Sequence, residues 1–132
     1  MFQKSFATKV DVKASEIKIS SLDEKLIEKA IKMVEEKISD PDFSVEDLSF
    51  ELGMSRVHLY KKLISLTGKS PIEFIRTIRL QRAAQLLEKS QLTVAEVAYK
   101  VGFNNPKYFA KYFKEQFDIL PSLYASNKKM QS

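Results

Sequence analysis

The sequence predicts an all-α fold of about seven helices, organised as two helix-turn-helix subdomains joined by a long linker helix. Three observations predict it. Apolar residues recur at the three- and four-residue spacing of a single helical face from residue 22 to residue 117. Glycine (3) and proline (4) are scarce in 132 residues, and all of them sit where a helix would start or stop. Residues 44–71 and 93–121 also carry one pattern twice, as SVEDLSFELGMSRVHLYKKLISLTGKSP and TVAEVAYKVGFNNPKYFAKYFKEQFDILP.

Residues 1–20 alternate weakly (Val10, Val12; Ile17, Ile19) and carry no cap or helical stripe, so they read as a linker or extended arm. The first helix is expected over 22–38, with Leu26, Ile27, Ala30, Val34 and Ile38 on its apolar face. Asp23 is its expected cap, and Asp40-Pro41 its stop. Ser44 opens the second helix, with Asp47 placed for a capping box, Val45, Leu48 and Leu52 inward, and Gly53 closing it in a left-handed turn. Ser55 caps the third helix over inward Leu59, Leu63 and Leu66, and Gly68 ends it. Pro71 suits the first turn of a linker helix over 71–88, about 27 Å long at 1.5 Å per residue, with Ile75, Ile78, Ala83, Leu86 and Leu87 inward.

Thr93 caps the fifth helix, with Val94, Val97, Ala98 and Val101 inward and Gly102 as terminator. Asn105 caps the sixth, with Pro106 at its first position and Phe109, Phe113 and Phe117 as core. Residues 121–127 are expected to form a last short turn. The first helix-turn-helix thus spans about 44–67 and the second about 93–117, within a folded region over 21–132.

Composition limits the function classes. There is no cysteine, which excludes disulfides and thiolate metal sites. No apolar run approaches the ~20 residues of a membrane span, and the N-terminal stretch lacks a secretory signal's apolar core. No membrane contact by this segment and a cytoplasmic location are expected. Net charge is +5, but residues 1–54 carry −4 and residues 55–132 carry +9, an asymmetry suited to meeting a polyanion. His58 is the one histidine, and no Gly-rich phosphate loop or paired-carboxylate motif accompanies it, so the sequence calls for no cofactor, metal or catalytic residue.

The repeat aligns at an offset of 49 residues up to the turn (Leu48/Val97, Ser49/Ala98, Gly53/Gly102) and of 50 beyond it (Leu59/Phe109, Lys61/Lys111, Leu63/Phe113). Each copy is a short helix, a glycine turn and a capped second helix, with Ser49 or Ala98 small where the two helices cross. Inward positions match. Outward positions do not: the second helix presents Arg56, Val57, Tyr60 and Lys61 in one copy and Lys107, Tyr108, Ala110 and Lys111 in the other.

A recognition helix reads DNA with residues near its N-terminal end, where Arg and Lys donate to guanine and small apolar groups touch the thymine methyl. Two such helices, about 56–66 and 106–117, held by the linker helix, could enter successive major grooves some 34 Å apart. Partial core packing is the competing role for Tyr60 and Tyr108, and phosphate contact or solvation for Lys61 and Lys111. Ser44, Ser55, Thr93 and Asn105 are phosphate-contact candidates whose simpler role is capping. A helical protein-interaction module without DNA reading is the alternative function, and the +9 half argues against it.

The motifs LxxELGMSxxxLxKxLxxxxGxSP (48–71), IRxxRLQRAAxLL (75–87) and VAEVAYKVGFNNPKYFAKYFKEQF (94–117) resemble those of AraC/XylS-type DNA-binding domains, over about 42–125. The resemblance implies a sequence-specific transcription regulator whose third and sixth helices read double-stranded DNA, with base-reading roles at Arg56, Val57, Tyr60, Lys61, Lys107, Tyr108 and Lys111. One departure is Asp118, where the family commonly has glycine. Residues 15–48 resemble the output end of Bacteroidetes hybrid two-component regulators. That likeness implies an upstream receiver and kinase region, with residues 1–20 as the connector from it. The acidic first helix (Glu24, Glu28, Glu35, Glu36) offers a face for a partner domain or RNA polymerase.

Overall fold

A computed structural model describes residues 21–131, and the expected arm over 1–20 lies outside the described residues. The described residues form seven α-helices and no strand: α1 (Ser21–Glu36), α2 (Val45–Leu52), α3 (Arg56–Thr67), α4 (Pro71–Lys89), α5 (Val94–Lys100), α6 (Pro106–Phe117) and α7 (Pro121–Gln131). The all-α fold is therefore as the sequence predicts.

The chain divides into two compact units. One contains residues 21–36 and 43–78, the other residues 37–42 and 79–131, so the division falls inside α4. In the first unit α1 packs on α2 and α2 on α3, around Ile27, Ala30, Val34, Leu48, Leu59, Leu63, Phe74 and Ile75, all buried. Each of the larger of these side chains contributes about 1.5–3 kcal/mol by leaving water. In the second unit Leu80, Ala83, Leu87, Val97, Ala98, Val101, Phe109 and Phe113 form the core. Its aromatic rings interlock, with Phe103 edge-on to Phe109 at 5.3 Å and Phe113 tilted against Phe117 at 4.6 Å.

The caps form where the sequence placed them. Ser44 and Thr93 each build a full capping box, with Asp47 and Glu96 returning a carboxylate to the cap amide. Gly53 adopts φ +67° and Asp118 φ +61°, so the aspartate holds the left-handed turn that the family gives to glycine. A capping pair not foreseen opens α4: the Ser70 amide donates to Glu73 Oε1 at 3.0 Å and the Glu73 amide to Ser70 Oγ at 3.3 Å.

Several expectations need correction. The first helix runs Ser21–Glu36 rather than 22–38, and Asp23 is not its cap. Asp23 lies within the first turn and pairs with Lys62 Nζ at 3.0 Å. The chain leaves the helix through a turn in which the Asp40 amide donates to Lys37 O (3.0 Å), and Pro41 has no amide with which to extend the ladder. Asp42 donates its amide to Asp40 Oδ1 (2.9 Å), while the Ile38 and Asp40 carbonyls accept from the Arg79 guanidinium (2.6 and 2.9 Å). The last turn is instead an eleven-residue helix. Its anchor is Tyr124, which packs edge-on to Phe113 at 5.4 Å and donates to Glu88 Oε2 at 2.5 Å. Burial and that carboxylate push the Tyr124 phenol up to about 12. Leu26, Ile38, Val45, Leu52, Leu86, Val94 and Phe117, expected inside, are half-buried.

Candidate nucleic-acid interface

Both turns begin with the same hydrogen bonds. The Gly53 amide donates to Phe50 O and the Met54 amide to Ser49 O. The Gly102 amide donates to Tyr99 O and the Phe103 amide to Ala98 O, each donor and acceptor shifted by 49 residues. Ser49 and Ala98 are buried, as the close crossing of two short helices requires. The copies diverge only after Phe103, so Asn104 is the inserted residue, and Phe103 turns inward onto Phe109.

In the first copy Ser55 Oγ accepts the His58 amide at 3.1 Å and starts α3. Leu59, Leu63 and Leu66 then anchor the inner face. Arg56, Val57, Tyr60 and Lys61 lie together on the exposed N-terminal part. Tyr60 is 52% and Val57 65% exposed, so neither is a core residue. Arg56 Nη1 meets Glu46 Oε1 of α2 at 3.3 Å, an exposed pair that aims the guanidinium without burying it. His58 is exposed on the same helix.

In the second copy Asn105 Oδ1 accepts the Lys107 amide at 2.8 Å, and Pro106 occupies the first position of α6. Phe109 and Phe113 are fully buried. Lys107, Tyr108 and Lys111 are exposed, Tyr108 by 60%, which removes core packing as its role. Ala110, read as outward, is half-buried. Lys111 Nζ lies 5.5 Å from the Tyr112 ring. Lys114, exposed one turn further along, extends the cationic face. Its seven-residue spacing from Lys107 is the signal in the sequence that places it on this face.

The four cap residues separate electrostatically. At Ser44 and Thr93 an acidic side chain already occupies the anion position: Asp47 Oδ2 accepts the Ser44 amide at 2.9 Å, and Glu96 Oε1 the Thr93 amide at 2.8 Å. Hydrogen bonds from the Thr93 backbone and hydroxyl hold the Glu96 carboxyl below its ordinary value. The first turns of α3 and α6 carry no acidic residue, so the partial positive charge behind Ser55 and Asn105 meets no carboxylate from its own first turn.

Comparison with known proteins follows the same lines. A family model described as a helix-turn-helix domain matches residues 48–127. The chain is 44% identical over 126 residues to Histidine kinase P4 of Formosa agariphila, covering 96% of this chain and 9% of that protein. It thus spans about a tenth of that relative's length. Its fold matches the DNA-binding domain of AdpA, a global transcriptional factor solved in complex with a target DNA. That match has a TM-score of 0.72 and 29% identity, and it covers 85% of this chain and 96% of that one. It also matches the C-terminal domain of AraT, a response regulator from Geobacillus stearothermophilus, with a TM-score of 0.70, 27% identity, and 77% and 84% coverage. The chain belongs to the AraC-type family of helix-turn-helix DNA-binding domains.

Proposed function

We propose that this domain is the sequence-specific DNA-reading output of a two-component regulator, reading double-stranded DNA with α3 and α6 in successive major grooves. The observation that carries the reading is the paired set of exposed N-terminal faces. Arg56, Val57, Tyr60 and Lys61 stand on one capped helix, and Lys107, Tyr108 and Lys111 on its counterpart, each over a buried apolar face. The shared Lys61/Lys111 position supplies a common donor, and the unlike neighbours supply different half-site preferences. Ser55 and Asn105 present helix N-termini suited to phosphate, more so than Ser44 and Thr93.

The likeness to Histidine kinase P4 and to a response regulator's C-terminal domain supports an upstream receiver and kinase region as the covalent partner. The exposed Glu24, Glu28, Glu35 and Glu36 of α1 supply the acidic face for that region or for RNA polymerase. A cytoplasmic location fits such a role, and no described helix is long and apolar enough to cross a membrane.

The test is a salt titration of DNA binding. Affinity should fall with a log–log slope of about −0.9 per phosphate neutralised, giving a total near −4 or steeper if both helices engage. A flat response contradicts DNA reading and favours a protein-interaction module.

A further inference from the structure

Arg79 lies in the middle of α4 and is only 6% exposed. Its guanidinium donates to three backbone carbonyls: Nη1 to Ile38 O (2.6 Å) and Val101 O (2.7 Å), and Nη2 to Asp40 O (2.9 Å). Among the described residues its acceptors are these carbonyls and not a carboxylate. Three carbonyl dipoles and the nearby Asp40 charge keep the cation solvated in the interior. Gly102 completes the arrangement. A Cβ there would overlap Arg79 Nη1 and come within 2.6 Å of Ile38 O, so the guanidinium fills the place of the missing side chain.

Val101 ends α5, and the turn that follows it launches α6. The Ile38 and Asp40 carbonyls belong to the segment that leaves α1, ahead of the first helix-turn-helix in the chain. Yet residues 37–42 fold as part of the second unit. We propose that Arg79 is a positioning residue for the second DNA reader, clamping the α5–α6 turn to the segment 37–42, so that the exit of α1 controls how α6 is presented. This rests on the DNA reading above. A planar fork with several fixed donors suits the task, because it holds three carbonyls from two segments at once.

A change entering along α1 would then alter reading of one half-site only. The experiment measures binding to a selected site and to two derivatives, each with one half-site scrambled. The α6 half-site is assigned as the one whose scrambling costs nothing further in Lys111→Ala. Wild type should lose about tenfold or more for either scramble. Arg79→Met should lose a similar factor on the intact site and become indifferent to scrambling of the α6 half-site, while the other scramble costs as much as in wild type. Arg79→Lys should recover part of the discrimination, because an ammonium retains donors without the fork. Should Arg79→Met fail to fold, Asp40→Ala provides the milder variant. It removes the Asp40–Asp42 turn bond and should show the same one-sided loss, smaller in size. Equal loss on both half-sites, or unchanged discrimination on both, overturns the inference. A wild-type chain indifferent to both scrambles contradicts the DNA reading itself and removes the ground for the inference.

Discussion

Lys61 and Lys111 occupy equivalent places on α3 and α6, and both are exposed. If they donate to base edges, Lys61→Ala and Lys111→Ala should each cost about 1–3 kcal/mol on a selected site and much less on random DNA. Lys128→Ala, on α7 beside the Tyr124 ring, should change both alike or neither. Equal losses on both DNAs for Lys61 and Lys111 would reassign them to phosphate. Glu46 sharpens the same argument. Its carboxylate holds Arg56, so Glu46→Gln should raise affinity for random DNA more than Glu51→Gln, which removes an equal charge from the same helix. The extra effect should vanish in an Arg56→Ala background, as a double-mutant cycle would read out. The two turn glycines also differ in kind. Gly53 needs only its left-handed backbone, with open space where a Cβ would go, whereas Gly102 must also leave room for Arg79. Gly53→Ala should therefore cost about 1–2 kcal/mol and Gly102→Ala clearly more, as seen in thermal melts.

At the level of elements, caps and apolar spacing made most of the fold legible. Ser44, Ser55, Thr93 and Asn105 each start the helix the sequence assigned to them, because capping is a local contract between a side chain and the next turn. What could not be read was set by distant partners. The Arg79 guanidinium reaches carbonyls some forty residues back in the chain, and the length of α7 depends on Tyr124 reaching Phe113 and Glu88. Outward faces are legible as the complement of the core, and Arg56, Val57, Tyr60, Lys61, Lys107, Tyr108 and Lys111 are exposed as expected, but Arg79 reads as one more basic residue in IRxxRLQRAAxLL. Four-residue spacing from the inward Ile75 and Ala83 places it on the buried face, but nothing local names the carbonyls that receive its charge. The caps also set a pH dependence. Hydrogen bonds from Ser70 and Thr93 hold the Glu73 and Glu96 carboxyls below the usual 4.5. Folded values lower than unfolded ones mean that this stabilisation is present above about pH 4.5 and is lost as pH falls through the folded values. Glu96→Gln should therefore flatten the acid limb of a melting-temperature profile, and an unchanged limb would show that the capping carboxylate contributes nothing to it.

Over the whole molecule, the proposed pair of unlike readers would need no palindrome and no dimer to read two half-sites. The matched interiors keep one architecture while Val57/Lys107 and Tyr60/Ala110 diverge, and on the proposed reading that divergence gives the two copies different sequence preferences. The charge imbalance supports the same division of labour, with an acidic stretch ahead of residue 55 and a basic one after it. Selection of bound sites from random DNA by this domain tests the central claim most directly. Two non-identical half-sites about one helical turn apart are predicted, with Lys61→Ala relaxing preference in one and Lys111→Ala in the other. A single short half-site, or no enrichment over random sequence, would contradict the account.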